Sequence, residues 1–186
     1  MLRVLKSHSA AERIAAATEF VRSFPPTTEL LIIGASRDAV DDFVREFALS
    51  VRATFGLHRF SLTQLAARLA TGKLAMAEVT PSSAVGAEAL AVRTAYEAAI
   101  RNELPYFAPV TKFPGFARAT ATTIGDLRAA GIAAKKLEAL EDSGPDHAAL
   151  LKRFQQQMEE VSVADRTVLF QAALQAVRWA SDVSPA

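Results

Sequence analysis

The run Leu30-Leu31-Ile32-Ile33 is too short for a helix and apolar on both faces. It breaks at Gly34-Ala35-Ser36 straight into a stretch with Val40, Phe43, Val44, Phe47 and Val51 at helical spacing. A strand buried in a parallel sheet, a tight loop and a covering helix satisfy that pattern. It is the outline of a phosphate-binding strand, loop and helix. In the working motif, G-x-x-x-x-G-K-[ST], loop amides and a lysine hold phosphates while a hydroxyl ligates Mg²⁺. Counted from Gly34, the positions for Gly, Lys and Ser or Thr read Ala39, Val40 and Asp41. No lysine meets a phosphate, and Asp38, Asp41 and Asp42 add negative charge where an anion would sit. The scaffold of a nucleotide site is present as Gly34, Ala35, Ser36, Ala39, Val40 and Asp41, and its chemistry is missing.

The surrounding sequence builds outward from this unit. Leu2, Val4 and Leu5 alternate with Arg3 and Lys6 as a short edge strand would. Ser9 with Glu12 predicts a capping box for a helix carrying Ile14, Phe20 and Val21, stopped by Pro25-Pro26. Ser36 caps the next helix, which should last to about Thr54 and end at Gly56. Leu57 to Phe60 then reads as a third strand, and Ser61 with Gln64 as a second capping box for a helix closing at Gly72. Alternating strand and helix imply a small parallel sheet covered by helices. Past Thr80-Pro81-Ser82-Ser83 no further strand is expected. Helices are predicted at about 84–103, 116–130, 133–142, 146–160 and 164–180, with Gly131 closing the second and Asp146 capping the fourth. The last carries Val168, Leu169, Ala172, Leu174 and Val177 on an apolar side, and a polar tail, 181–186, follows. The expected class is therefore helix-rich α/β. Residues 1–81 form a partial P-loop-like unit with an incomplete three-stranded parallel sheet, and 82–186 form an all-helical subdomain. A parallel sheet opened at one end of a sequence and followed only by helices implies the N-terminal piece of a longer protein.

Composition narrows the chemistry. Lysine and arginine number 21 against 20 acidic residues, a net charge of +1, so no global attraction to nucleic acid or membrane follows. With no cysteine, disulfide frameworks, thiolate zinc sites and cysteine nucleophiles are excluded together. Residues 1–6 lack the apolar core of a signal peptide, and charges interrupt every later hydrophobic run. The reading is a soluble, cytoplasmic chain with no membrane partner.

Candidate catalytic groups are sparse. His8, His58 and His147 lie far apart, and none has a histidine or cysteine at i+3 or i+4, so no metal site is expected. Glu141-Asp142 and Glu159-Glu160 are adjacent pairs that a helix points apart. No G-x-S-x-G elbow is present, and Ser36 is better used as a cap. Lys73 is the only alternative phosphate lysine to weigh, and its distance from the strand end argues against it. Lys112, Arg118, Arg128, Lys135 and Lys136 fall around Tyr106, Phe107, Phe113 and Phe116. Cations beside aromatics are what a nucleic-acid strand needs for phosphate neutralisation and base stacking. An aromatic cluster is more often core or interface, and these positions alternate with Pro and Gly in a turn.

With these segments placed, the chain resembles the N-terminal, helicase-like region of PD-(D/E)XK nuclease proteins of the AddB-like group, which includes the B subunit of ATP-dependent helicase/deoxyribonuclease. The stretch from Leu30 to Ala39 is similar to the strand and degenerate loop that open that UvrD-like superfamily 1 core. Arg59 to Ala66 looks like its next strand-to-helix segment. Most specific is Phe113-Pro114-Gly115-Phe116-Ala117-Arg118-Ala119, followed by Thr123 to Ile132, which resembles a signature of the family's helical insertion. Asp146 to Met158 and Asp165 to Ala173 resemble its paired helices, with Phe154 in a tyrosine slot. The likeness covers most of residues 28–178, and each of its motifs is a packing pattern.

The resemblance implies a DNA-processing parent, an exonuclease or deoxyribonuclease acting in double-strand-break repair or recombination. This piece would be non-catalytic scaffold and DNA track, its partners being DNA, the rest of its own chain and a helicase-nuclease subunit. ATP and Mg²⁺ would belong to the parent, with no cofactor in this piece. Arg118, Arg128, Lys135 and Lys136 are the expected DNA contacts. The alternative is a stand-alone protein-interaction domain, docking through an apolar sheet edge, with no DNA or nucleotide binding.

Overall fold

A computed structural model describes residues 3–51 and 55–183, with side chains through residue 179. The chain is helix-rich, with two small parallel sheets of two strands each among the described residues. It divides into two compact units, Met1–Leu65 and Ala66–Ala186. No helix among the described residues is long and apolar enough to cross a membrane.

In the first unit, α1 (Ala10–Arg22) begins where Ser9 Oγ accepts from the Glu12 amide at 3.3 Å. The expected box is only half made. The Glu12 carboxylate accepts from the Ser7 hydroxyl, and the Ser9 amide donates to Ser7 Oγ at 3.0 Å. α1 fully buries no residue, and Ile14 and Phe20 stay exposed. β1 (Leu30–Gly34) and β2 (Leu57–Ser61) pair in parallel, Leu30 opposite Leu57 through Gly34 opposite Ser61. Between them α2 (Arg37–Leu49) buries Val40, Val44 and Phe47, the stripe its spacing predicts. It ends at Leu49 rather than near Thr54; residues 52–54 lie outside the described residues.

The three-stranded sheet is not formed among the described residues. Residues 3–5 carry no strand, with Val4 69% and Leu5 51% exposed, and Leu2 lies outside the described residues. A single alternating triplet offers too few ladder bonds and too little burial to hold an edge strand. The double-sided burial expected of β1 fails for the same reason. Leu30 and Ile32 are half-buried, whereas Leu31 and Ile33, on the opposite face, are 52% and 46% exposed.

In the second unit, helices supply two apolar clusters. α3 (Leu62–Met76) starts on a complete reciprocal box: the Ser61 amide donates to Gln64 Oε1 at 2.9 Å and the Gln64 amide to Ser61 Oγ at 3.2 Å. It runs through Gly72 rather than ending there. An interior glycine costs roughly 1 kcal/mol, and burial of Ala66, Ala70 and Leu74 on the same helix offsets it. Those three pack with Ala164, Leu169 and Ala173, so α3 from Ala66 onward belongs to the second unit, and the division falls within α3, upstream of the expected 81/82. β3 (Thr80–Pro81) pairs in parallel with β4 (Val163–Ala164), a two-residue pairing too short to register as a strand pattern in the sequence.

The larger cluster joins α4 (Ala84–Ile100), α5 (Pro114–Ala129), α6 (Ala134–Glu138) and α7 (Gly144–Glu160). Ala91, Ala98, Leu104, Ile124, Leu137, Leu150, Leu151, Phe154 and Met158 form its buried centre. Gly131, at φ +66°, closes α5 as expected, with the Ile132 amide donating back to Leu127 O at 2.9 Å. Gly144 is required sterically, because a Cβ there would come within 2.5 Å of Leu137 O. α8 (Arg166–Val183) buries Leu169 and Ala173 but leaves Leu174 and Val177 exposed, so its expected apolar side is only partly used. The helix itself takes up 181–183 of the expected tail; 184–186 lie outside the described residues.

Candidate functional site

The loop after β1 holds the geometry that decides whether this chain can bind a nucleotide. Gly34 gives way to Ser36, whose Oγ accepts from the Ala39 amide at 3.1 Å and so consumes a donor that a phosphate-binding loop would offer. Val40, at the lysine position, is 2% exposed. Its Cγ2 lies 2.4 Å from where a Cβ on Gly34 would stand, so Gly34 here serves close packing onto Val40. A side chain at position 40 points into the core and away from any bound phosphate.

Asp41, at the position of the Mg²⁺-ligating hydroxyl, is held by two arginines. Arg37 Nε donates to its Oδ2 at 2.8 Å, and Arg59 Nη1 of β2 lies 3.2 Å from its Oδ1. Arg37 Nη1 also donates to Arg59 O at 2.8 Å, tying the start of α2 to the neighbouring strand. The Arg37 hydrogen bond, with the fields of Arg37, Arg59 and Arg45, holds the Asp41 carboxyl below its usual 3.8 against a partial desolvation. The Ala39 amide and the Asp41 carboxylate are thus already engaged, by Ser36 and by Arg37 and Arg59. Lys73 offers no substitute: it lies in α3, and its Nζ donates to Gln175 Oε1 at 2.9 Å.

The four expected DNA contacts all lie in the second unit, and one of them, Arg128, is already paired. Arg128 Nε donates to Asp165 Oδ2 at 2.5 Å, the two side chains being 11% and 13% exposed. The other oxygen of Asp165 accepts from the Val168 amide at 3.0 Å and caps α8, so one carboxylate fixes two helices. Arg118 is exposed ten residues earlier on α5, about 15 Å along the axis by helical rise. Lys135 and Lys136 are exposed on α6.

The aromatics divide in the same way. Phe107 and Phe116, 5.5 Å between centroids, pack against the larger cluster, while Tyr106 and Phe113 are 55% and 56% exposed. Lys112 Nζ sits 5.6 Å from the Phe113 ring centroid. Asp146 is not a helix cap. It lies inside the first turn of α7, 1% exposed, and its Oδ2 accepts from the Phe107 amide at 2.9 Å, anchoring the turn after α4. No group of three or more His, Cys, Asp or Glu gathers as a metal site among the described residues.

No protein-family model and no curated protein matches this chain.

Sequence reasoning did not single out Asp165 as a link between helices, nor Tyr96 of α4, whose ring is 66% exposed beside Phe113 in one open groove. Asp165 carried a readable signal, as an acidic residue directly before a helix. Tyr96 carried none, because α4 is apolar on nearly every side.

Proposed function

We propose that this chain is a non-catalytic module of a DNA-processing protein, a decayed nucleotide-binding unit followed by a helical subdomain that holds DNA by its phosphates. The observation that carries the first half is the buried Val40 beneath Gly34, with Asp41 already paired to Arg37 and Arg59. A loop with a buried valine at the lysine position and its Ala39 amide already taken by Ser36 lacks the motif cation that nucleotide hydrolysis uses. The likeness of residues 28–178 to the helicase-like region of PD-(D/E)XK nucleases supports the second half, as do three exposed cations, Arg118, Lys135 and Lys136. Arg128 leaves the set, its charge being spent on Asp165. Contacts of this kind are phosphate-directed, salt-sensitive and indifferent to sequence.

The test is fluorescence anisotropy of labelled oligo(dT) at stepped salt, with wild type and the R118A/K135A/K136A variant. Losing three phosphate contacts from a single strand should flatten the log–log salt slope by about 2. An unchanged slope and affinity would remove these cations from the reading. A second reading, a protein-interaction domain, draws on the open β1 face at Leu31 and Ile33. It predicts association through that face, abolished by L31S/I33S, and no DNA binding.

A further inference from the structure

We infer that the groove between α4 and the start of α5 docks an acidic amphipathic helix of a partner protein. Its floor and one wall are Val92, Tyr96 and Ile100, successive positions of one α4 face. Phe113, Pro114 and Ala117 form the other wall. The groove is open and about 670 Å³. From Val92 to Ile100 it runs about 12 Å, roughly two helical turns, the length over which a docked helix places anchors at i, i+4 and i+7.

The apolar residues at its rim are left uncovered by the described residues. Val92 is 51%, Tyr96 66%, Ile100 60% and Phe113 56% exposed, while the buried face of α4 is already supplied by Ala91, Ala95 and Ala98. Ala95 and Ala99 also line the groove, so the apolar surface of α4 continues from its packed face into it, and the uncovered part is explained when it receives a partner.

Charge selects the partner's chemistry. Lys112 is the only charged residue lining the groove, and exposed Arg101 directly follows Ile100. The α4 carboxylate nearest in sequence, Glu97, is turned to the other side, where Arg93 Nε donates to it at 2.8 Å and Arg153 Nη1 lies 3.5 Å away. Glu103 likewise pairs with Arg153. Glu88 stands one turn before Val92, outside the lining. Aliphatic walls with a lysine at the rim match an apolar helix face flanked by Glu or Asp, with its acidic residues toward Lys112.

The experiment uses two labelled model peptides of about 18 residues, long enough to be helical. Both carry Leu and Phe on one face, with Glu flanks in one and Lys flanks in the other, and anisotropy is read against the full chain. The Glu peptide should bind, with the Lys peptide at least about tenfold weaker. Y96A/I100A should weaken the Glu peptide about tenfold or more. Lys112→Glu should invert the preference between the two peptides. Because these side chains are exposed, the variants should keep the wild-type circular dichroism and melting temperature. Three results would overturn the inference: equal binding of both peptides, binding unaffected by Y96A/I100A, or a groove that Y96A/I100A shows to hold oligo(dT) or a second copy of the chain instead.

Discussion

At the scale of single residues, some side chains that pattern-matching would assign to function are engaged in structure. Arg128 and Asp165 show this best. Removing one partner leaves a largely buried charge, and Asp165 also caps α8. Arg128→Ala should cost about 3 kcal/mol in urea unfolding, and Asp165→Ala about 1 kcal/mol more through loss of the cap. Asp165→Asn, which keeps the cap, should fall between wild type and Asp165→Ala. Asp146→Ala should cost about 1–3 kcal/mol by leaving the Phe107 amide unsatisfied, with Asp146→Asn closer to wild type.

Restoring the missing motif lysine is the sharpest residue-scale check on the phosphate loop. Val40→Lys should fail to confer MgATP binding in calorimetry and should destabilise the chain by about 3 kcal/mol or more, since it places a charge in the core. The acid limb of stability belongs at this scale as well. Asp41, held down first by its hydrogen bond from Arg37, and Glu97, held down first by Arg93, ionise more readily folded than unfolded. Their contribution is complete above the ordinary values of 3.8 and 4.5 and is lost as pH falls through their lower folded values. Stability measured from pH 6 downward should therefore decline below about 4.5, and Arg37→Ala and Arg93→Ala should each shrink that decline.

At the scale of elements, local chemistry was legible and tertiary pairing was not. Ser9, Ser36 and Ser61 each mark a helix start in the sequence and each accepts a helix amide in the fold. Gly131 and the amphipathic stripe of α2 were equally readable. The failures share one cause. Whether Leu31 is covered, whether Val4 joins a sheet, whether Gly72 ends a helix and which face of α4 is inside all depend on partners distant in sequence. A two-residue pairing such as β3 with β4 has no period to detect. The candidate site divides likewise. The broken motif at 39–41 is plain from spacing alone, whereas the burial of Val40 and the pairing of Asp41 required the fold. Substituting both Ser61 and Gln64 with Ala should lower stability by about 1–2 kcal/mol, read as a fall in denaturant midpoint, because it removes both halves of the reciprocal cap.

At the scale of the molecule, the degenerate loop lies in one compact unit and the exposed cations Arg118, Lys135 and Lys136 lie in the other. A chain of net charge +1 has no long-range field to draw it onto DNA, so any affinity must come from a few local phosphate contacts and fade quickly with salt. Nucleotide is expected to leave that affinity untouched, because Val40 is buried at the lysine position and Asp41 is already paired with Arg37 and Arg59. The decisive measurement is the binding of labelled oligo(dT) across a salt series, run in parallel with and without saturating MgATP. The account predicts salt-sensitive binding with superimposable curves in the two series. No binding at low salt, or a shift of the curve by MgATP, would contradict it.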